Sequence, residues 1–321
     1  MELLRRALDR TRRGDSLALV TVVKVSGSAP RHVGARMLVD ARGDIEKTVG
    51  GGRVELEVTR AAAAVAAGAG AQLIEHHLTR DLAMCCGGSM TFLVEPVAPS
   101  ADAIAQALTR VAARRPAVLV TTLDEVLAGR RGKQVRDMPT PVITAPVFAD
   151  GQLMEPVLPH PRMLLFGCGH VSRALGPMAA QLGFDVVVCD DGETEALASI
   201  ADAPWVAGTV NSFDIRDVEA DVGKLGIGDY ALIMTRDHAI DQAILEQLIG
   251  NMELTYLGMI GSRGKVGRFH KRLRAKGLVT DESWARLHAP IGLNIGAETP
   301  AEIAVAVVAE LVALRRTGRT T

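Results

Sequence analysis

The segment Arg162 to Ser172, RMLLFGCGHVS, constrains this chain more than any other, because an apolar run breaks into Gly-x-Gly-x-x-Ser directly before a helical pattern. It reads as the first strand, phosphate loop and helix start of a dinucleotide-type fold. Gly167 allows the tight strand-to-helix turn, and Gly169 lets backbone approach a phosphate. The N–H groups opening the next helix then face the anion with a favourable dipole. The loop begins halfway along 321 residues, so about 160 residues before it must form a further domain at ordinary domain sizes.

The rest of the second half continues the same pattern. Strand-like runs at Met163 to Phe166, Asp185 to Cys189, Tyr230 to Met234 and Thr255 to Ile260 alternate with helical patterns. Those helical patterns lie at His170 to Leu182, Ala239 to Gly250 and Lys265 to Lys276. Such alternation specifies a doubly wound parallel sheet. Pro300 to Arg316 closes the chain as a helix with proline in the first turn and arginines in the last.

The first half mixes strands (Leu17 to Val25, Ala35 to Val39, Ile45 to Val49, Gln72 to His77, Met90 to Val94, Ala117 to Leu123) with helices at Arg53 to Ala67 and Ala101 to Ala113. It is therefore an α+β or α/β domain over 1–138. Six prolines between 139 and 161 fix φ and remove backbone donors, so 139–161 reads as an extended linker. The Rossmann-like domain then occupies 162–321.

Composition narrows the function classes. With 48% hydrophobic residues the chain can bury a large core, while a net charge of −1 and 3% aromatic residues supply neither a basic field nor stacking platforms for nucleic acid. No stretch approaches a membrane span, and MELLRRALDRTRRGDS lacks the apolar core of a secretory signal. A cytoplasmic protein is expected. Four cysteines in this length are no disulfide framework.

Several loops are candidates for ligand contact. Asp190-Asp191 ends the strand 23 residues after Gly167, where an acid can bind a ribose hydroxyl. Ser262, Arg263 and Lys265 follow another strand end and can meet a phosphate, whereas Asp237, His238 and Asp241 read as helix capping and first-turn charge. Gly50-Gly51-Gly52 before Arg53 is a second potential anion cradle. Cys85-Cys86-Gly87-Gly88 sets two thiols beside flexible backbone, and they are either turn cysteines or reactive, ligand-touching ones. The positioned acid or base that hydride transfer needs is not evident, so binding without independent catalytic activity is the simpler reading.

Taken in order, these motifs resemble the XdhC/CoxI family, accessory proteins of xanthine dehydrogenase and related molybdenum hydroxylases. The resemblance rests on Gly27 to Arg31, Gly34 to Val39, Gly50 to Glu55 and Cys85 to Gly88 in the first half. In the second it rests on Phe166 to Val171, Arg236 to Asp241, Gly258 to Arg263 and Pro290 to Ala304. It implies a chaperone that binds the molybdenum cofactor, molybdopterin, and protects it while a cysteine desulfurase installs its terminal sulfur. It also implies delivery to apo xanthine dehydrogenase or a related hydroxylase, with cofactor biosynthesis proteins as further partners; apart from the resemblance, the apolar edges of two Rossmann-like halves suggest a homodimer. On this reading Gly167, Gly169, His170, Asp190, Ser262, Arg263 and Lys265 hold the phosphate or pterin. Gly50 to Arg53 and Cys85 to Gly88 close over the metal end, with Cys85 or Cys86 as the possible sulfur or molybdenum contact. The competing expectations are an NAD-dependent oxidoreductase, in which Asp190 or Asp191 selects NAD, and a scaffold that binds no cofactor.

Overall fold

An amphipathic helix, α1 (Glu2–Arg12), buries Leu3, Leu4, Ala7 and Leu8 along one stripe, the spacing that a helix packed on a sheet requires. In a computed structural model that describes residues 1–193 and 195–317, Met1–Pro159 and His160–Thr321 form two compact units. The first unit continues with β1 (Leu17–Ser26), β2 (Arg36–Asp40), β3 (Ile45–Lys47), α2 (Gly52–Ala66), β4 (Gln72–His77), α3 (Leu78–Leu82) and β5 (Ser89–Pro96). The strands pair antiparallel in the order β3-β2-β1-β5-β4. The β-branched run of β1 lies at the centre, buried on both faces. On one face Val54, Val58, Ala62 and Val65 of α2 pack on Val20, Val22, Phe92 and Val94; on the other, Leu17, Leu19 and Leu38 meet α1.

The unit is completed by α4 (Ala101–Ala112), β6 (Ala117–Thr122), α5 (Leu123–Leu127), β7 (Lys133–Asp137), β8 (Val147–Ala149) and β9 (Gln152–Val157). The last four strands make a second antiparallel sheet, β7-β6-β9-β8. This corrects the expected linker over 139–161. Residues 152–157 alternate between half-buried and buried, a strand period that the prolines obscure. Pro156 is tolerated because it stands opposite Val118 beyond Met154, where pairing with β8 stops, so the strand is locally an edge. The boundary between the units falls at Pro159.

The second unit runs β10 (Arg162–Phe166), α6 (His170–Gln181), β11 (Asp185–Cys189), β12 (Val206–Val210), α7 (Ile215–Val222), β13 (Asp229–Ile233), α8 (His238–Leu248) and β14 (Tyr256–Met259). It ends with α9 (Arg263–Ala275), α10 (Asp281–Ala285), β15 (Leu287–His288) and α11 (Pro300–Thr317). The strands are parallel in the order β12-β11-β10-β13-β14-β15. This is the doubly wound Rossmann arrangement, with its switch point between β10 and β13. Every residue of β10 is buried, as expected of a central parallel strand covered on both faces. Leu164 and Phe166 enter one core layer, and Met163 and Leu165 the other. At the opposite end from the glycine loop, Arg162 grips Asp229 through two hydrogen bonds of 2.9 and 3.0 Å, fixing β10 against β13.

Candidate functional site

Beyond the carboxyl ends of β10 and β13 the sheet opens a crevice of about 460 Å³, lined by Gly167, Gly169, His170, Asp190, Arg236 and Pro300 among others. A side chain at Gly167 would stand 2.6 Å from the Met234 carbonyl oxygen and 2.8 Å from Thr235 Cα, and its φ is +106°. Only glycine lets the first turn of this loop pass so close to the β13 loop. Gly169 is different in kind. Its φ lies outside the left-handed range and, among the described residues, nothing lies within 4 Å of where its Cβ would be, so its smallness serves no packing against them. It also opens α6 without a side-chain cap, leaving the helix terminus to the crevice. Ser172, in place of a third glycine, is buried and donates its hydroxyl to the Gly167 carbonyl at 2.5 Å, pinning the loop to the helix. His170 is exposed at the helix start.

Two adjacent acids divide the next corner between them. Asp190 is buried, and its Oδ2 accepts the Cys168 backbone N–H at 2.8 Å, bracing the glycine loop from the end of β11. Its other oxygen, Oδ1, makes no hydrogen bond among the described residues. The Arg236 guanidinium stands 4.0 Å from it. Asp191 is bound by that same guanidinium through two contacts, 2.9 and 2.5 Å, and Arg236 also reaches Glu193 at 2.5 Å. The hydrogen-bonded arginine holds the Asp191 carboxyl below its ordinary pKa and is itself raised by it. Asp191 is thus occupied from the β13 side of the switch point, and Asp190 is the acid that remains at the crevice wall.

Asp237 caps α8, accepting from Ala239 N at 2.6 Å and Ile240 N at 3.4 Å, as its position predicts. Asp241 stands in the first turn of α8, as expected, but faces inward. It is 1% exposed, accepts from the Thr235 N–H at 3.0 Å and hydroxyl at 2.7 Å, and forms an ion pair with Lys265. Lys265 also donates to the Ile260 carbonyl at 2.9 Å. The expected phosphate contact by Lys265 is therefore corrected: its ammonium is turned inward, where only a paired charge is tolerated. Ser262 caps α9 by accepting from Lys265 N at 3.3 Å. Arg263 lines a neighbouring recess of about 380 Å³ with Pro290 to Ala297, separated from the crevice by Ile260, which lines both.

In the first unit three sequence motifs meet. A side chain at Gly88 would lie 2.3 Å from the Ser26 carbonyl oxygen and 2.5 Å from that of Ser28, and Gly88 N donates to Ser28 O at 3.0 Å. Pro30 packs against Gly50, and Met84 reaches Gly52. The expected anion cradle at Gly50 to Gly52 is already filled. Glu55, from the first turn of α2, accepts from Val49 N at 3.0 Å, Gly51 N at 3.2 Å and the Thr48 hydroxyl, while Gly50 N donates to Thr48 Oγ1 at 3.1 Å. An internal carboxylate thus takes the place of a ligand anion, a role that the sequence signals only as an acid near a helix start. Gly52 and Arg53 remain exposed.

The four thiols differ sharply. Cys85 and Gly87 are exposed and Cys86 is half-buried. Burial, with the neighbouring Cys85 thiol, raises the pKa of Cys86. Burial also raises Cys168, whose Sγ donates to the Ala196 carbonyl at 3.3 Å, and pushes Cys189 up to about 12. Among the described residues no group of three or more His, Cys, Asp or Glu side chains could hold a metal ion, and no helix is long and apolar enough to cross a membrane.

Fold and site together define a protein of two compact units whose second is a Rossmann-like module with an open glycine loop. Residues 163–311 match the family model described as the XdhC Rossmann domain, and residues 11–77 match that of the XdhC and CoxI family; the chain belongs to this family. It is 30% identical over 310 residues to "Uncharacterized protein YqeB" of Escherichia coli (strain K12), a match over 93% of this chain but 43% of YqeB. The chain thus spans less than half the length of that relative. It is 26% identical over 323 residues to a probable xanthine dehydrogenase subunit of Bacillus subtilis (strain 168), across 94% of each. A Bacillus halodurans crystal structure described as a xanthine dehydrogenase shares the fold, with a TM-score of 0.72 at 22% identity over 99% of this chain and 96% of that one.

Proposed function

We propose that this protein serves a xanthine dehydrogenase or related molybdenum hydroxylase as an accessory factor, binding the molybdenum cofactor in the crevice of its second unit. On this reading it holds the cofactor while a cysteine desulfurase installs the terminal sulfur and then releases it to the apoenzyme, with no turnover of its own. Family membership and the relative from Bacillus subtilis support the accessory role.

The observation that carries cofactor binding is Gly169. Its missing side chain is not needed for packing, and it opens the α6 terminus toward a crevice at the switch point of the sheet. A phosphate ester fits that donor set, since the helix terminus supplies N–H groups and a partial positive charge. Asp190 and Ser172 hold the loop in shape for it, and Asp190 Oδ1 offers an acceptor to a ligand N–H or O–H. The Gly50 to Gly52 loop does not fit an anion, because Glu55 holds it. Cys85, exposed beside that loop's neighbours, is the thiol available to sulfur or a soft metal.

Transfer tests the proposal. Protein loaded anaerobically with sulfurated cofactor should activate apo xanthine dehydrogenase to a higher yield than free cofactor does, and should be left free of molybdenum. Equal yields with and without the protein would refute delivery. Tight retention of NAD in place of cofactor would instead favour the oxidoreductase reading.

A further inference from the structure

From Arg263 to Lys276 the chain carries seven lysines and arginines and no acid, although its net charge is only −1. One of these cations, Lys265, is buried on Asp241. The other six are exposed. Arg272 bonds Gln242 at 3.0 Å, Arg274 pairs with Asp281 at 3.1 Å and Lys276 with Glu246 at 2.7 Å. Arg263, Arg268 and Lys271 have no acidic partner within salt-bridge distance among the described residues. At helical spacing, Arg263, Gly267, Lys271 and Arg274 stack on one stripe, with Gly264 and Arg268 beside it.

This face breaks three local rules with no gain to the fold. Arg268 and Arg272 are like charges at i,i+4, and Lys271 and Arg274 at i,i+3, each pair destabilising the helix. Arg263 sits at the positive end of the α9 dipole. Gly267 lies inside α9, where glycine weakens a helix, and Gly264 stands in its first turn. Yet among the described residues a Cβ at Gly267 would meet nothing within 4 Å, and one at Gly264 only Arg268 Nη1 and Ser262 Oγ at ordinary contact distances of 3.7 and 3.8 Å. A merely solvated helix face would alternate charge and use alanine. An anionic occupant would relieve both charge penalties, and the glycines leave room for it to rest close against the helix.

We infer that the outer face of α9 is a docking surface for an acidic segment of a partner protein. From Arg263 to Arg274 the stripe is about 16 Å long at the helical rise of about 1.5 Å per residue, which about five extended residues would span. The acids flanking it, Asp237 and Glu246 on α8 and Asp281 on α10, disfavour a long polyanion such as nucleic acid, whose uniform charge would overhang them. A protein segment places its carboxylates locally. The inference rests on the reading of the chain as an accessory protein, which supplies a client for this face.

The test uses the full chain and a fluorescent hexaglutamate peptide, with binding read by anisotropy at low and physiological salt. Binding should weaken with salt and fall about tenfold or more, roughly 1.4 kcal/mol, in Arg268→Ala/Lys271→Ala, but hold in the control Arg12→Ala/Arg42→Ala. Gly264→Ala/Gly267→Ala should raise the melting temperature while weakening the peptide, a combination that a purely structural face would not give. Peptide binding unchanged in both α9 variants would overturn the inference, as would tighter binding of an oligothymidylate of equal charge. A dimer in sedimentation that the Arg268→Ala/Lys271→Ala pair dissolves would make the occupant a second copy of this chain and overturn it equally. Cofactor retention by the same variant is scored separately, so a failed docking face and a failed cofactor reading are distinguished.

Discussion

Asp241 and Lys265 form a buried ion pair, with side chains 1% and 3% exposed, that ties the first turn of α8 to the start of α9. Because the carboxylate also accepts from Thr235, the pair holds two of the strand ends that shape the crevice. Removing one partner strands a buried charge, so Asp241→Ala should cost about 3–5 kcal/mol in urea unfolding. The joint change Asp241→Leu/Lys265→Met should cost far less, since it removes both charges. If Lys265→Met alone abolished ligand binding while leaving stability intact, the lysine would be a ligand contact after all.

The two glycines of the loop should separate stability from binding. Gly167→Ala forces a side chain against Met234 and Thr235 at positive φ and should destabilise the second unit by about 1–3 kcal/mol. Gly169→Ala should leave the melting temperature within about a degree or two, because no described residue occupies its Cβ position and its φ suits alanine. Any loss of ligand affinity in Gly169→Ala would then be local to the crevice. Calorimetric unfolding and ligand titration on the two variants check both halves.

Glu55 acts as an internal anion for the Gly50–Gly51 loop. Glu55→Ala should destabilise the first unit by about 1–3 kcal/mol, the cost of donors left unpaired. It should also create a site that the native protein lacks, so that sulfate raises the melting temperature of the variant more than that of the wild type. Equal sulfate responses would mean that the loop N–H groups do not form a cradle.

Thiol chemistry should follow burial. At mildly alkaline pH an alkylating reagent should modify Cys85 first, Cys86 and Cys168 slowly, and Cys189 only on unfolding, as read by peptide mass spectrometry. Cys189 also sets a pH dependence. Its folded pKa of about 12 lies above the unfolded value of 9.0, so between them the native state binds more protons than the unfolded one. Its contribution is intact below the unfolded pKa and is lost as pH rises toward the folded one, at up to about 1.4 kcal/mol per pH unit. Cys189→Ala should flatten that alkaline limb.

The second unit is largely legible in the sequence because strand and helix periods alternate cleanly around an unmistakable glycine loop, and the crevice follows from topology once β10 is placed. β12 and α7 escape that reading, since Val206 to Val210 is a half-exposed edge strand interrupted by Gly208 and gives neither period. The prolines hide β9 in the same way. At the site, what sequence does not show is pairing across distance. Asp241 meets Lys265 from 24 residues away and Asp191 meets Arg236 from 45, and nothing in local spacing marks either. Glu55 is closer, but whether a first-turn acid faces solvent or folds back over its own loop is settled only by the path of the chain.

The most direct test of cofactor binding is anaerobic gel filtration of the wild type and Gly169→Asp after incubation with isolated molybdenum cofactor, with bound molybdenum and pterin quantified together. A Cβ at position 169 meets none of the described residues within 4 Å, and an Asp carboxylate there, at the N-cap of α6, would take the terminal N–H groups itself and repel a phosphate. Near-stoichiometric retention by the wild type, lost in a Gly169→Asp variant whose melting temperature is not lowered, is expected. Equal retention by both proteins would contradict phosphate binding at this loop, and no retention by either would contradict the cofactor reading itself.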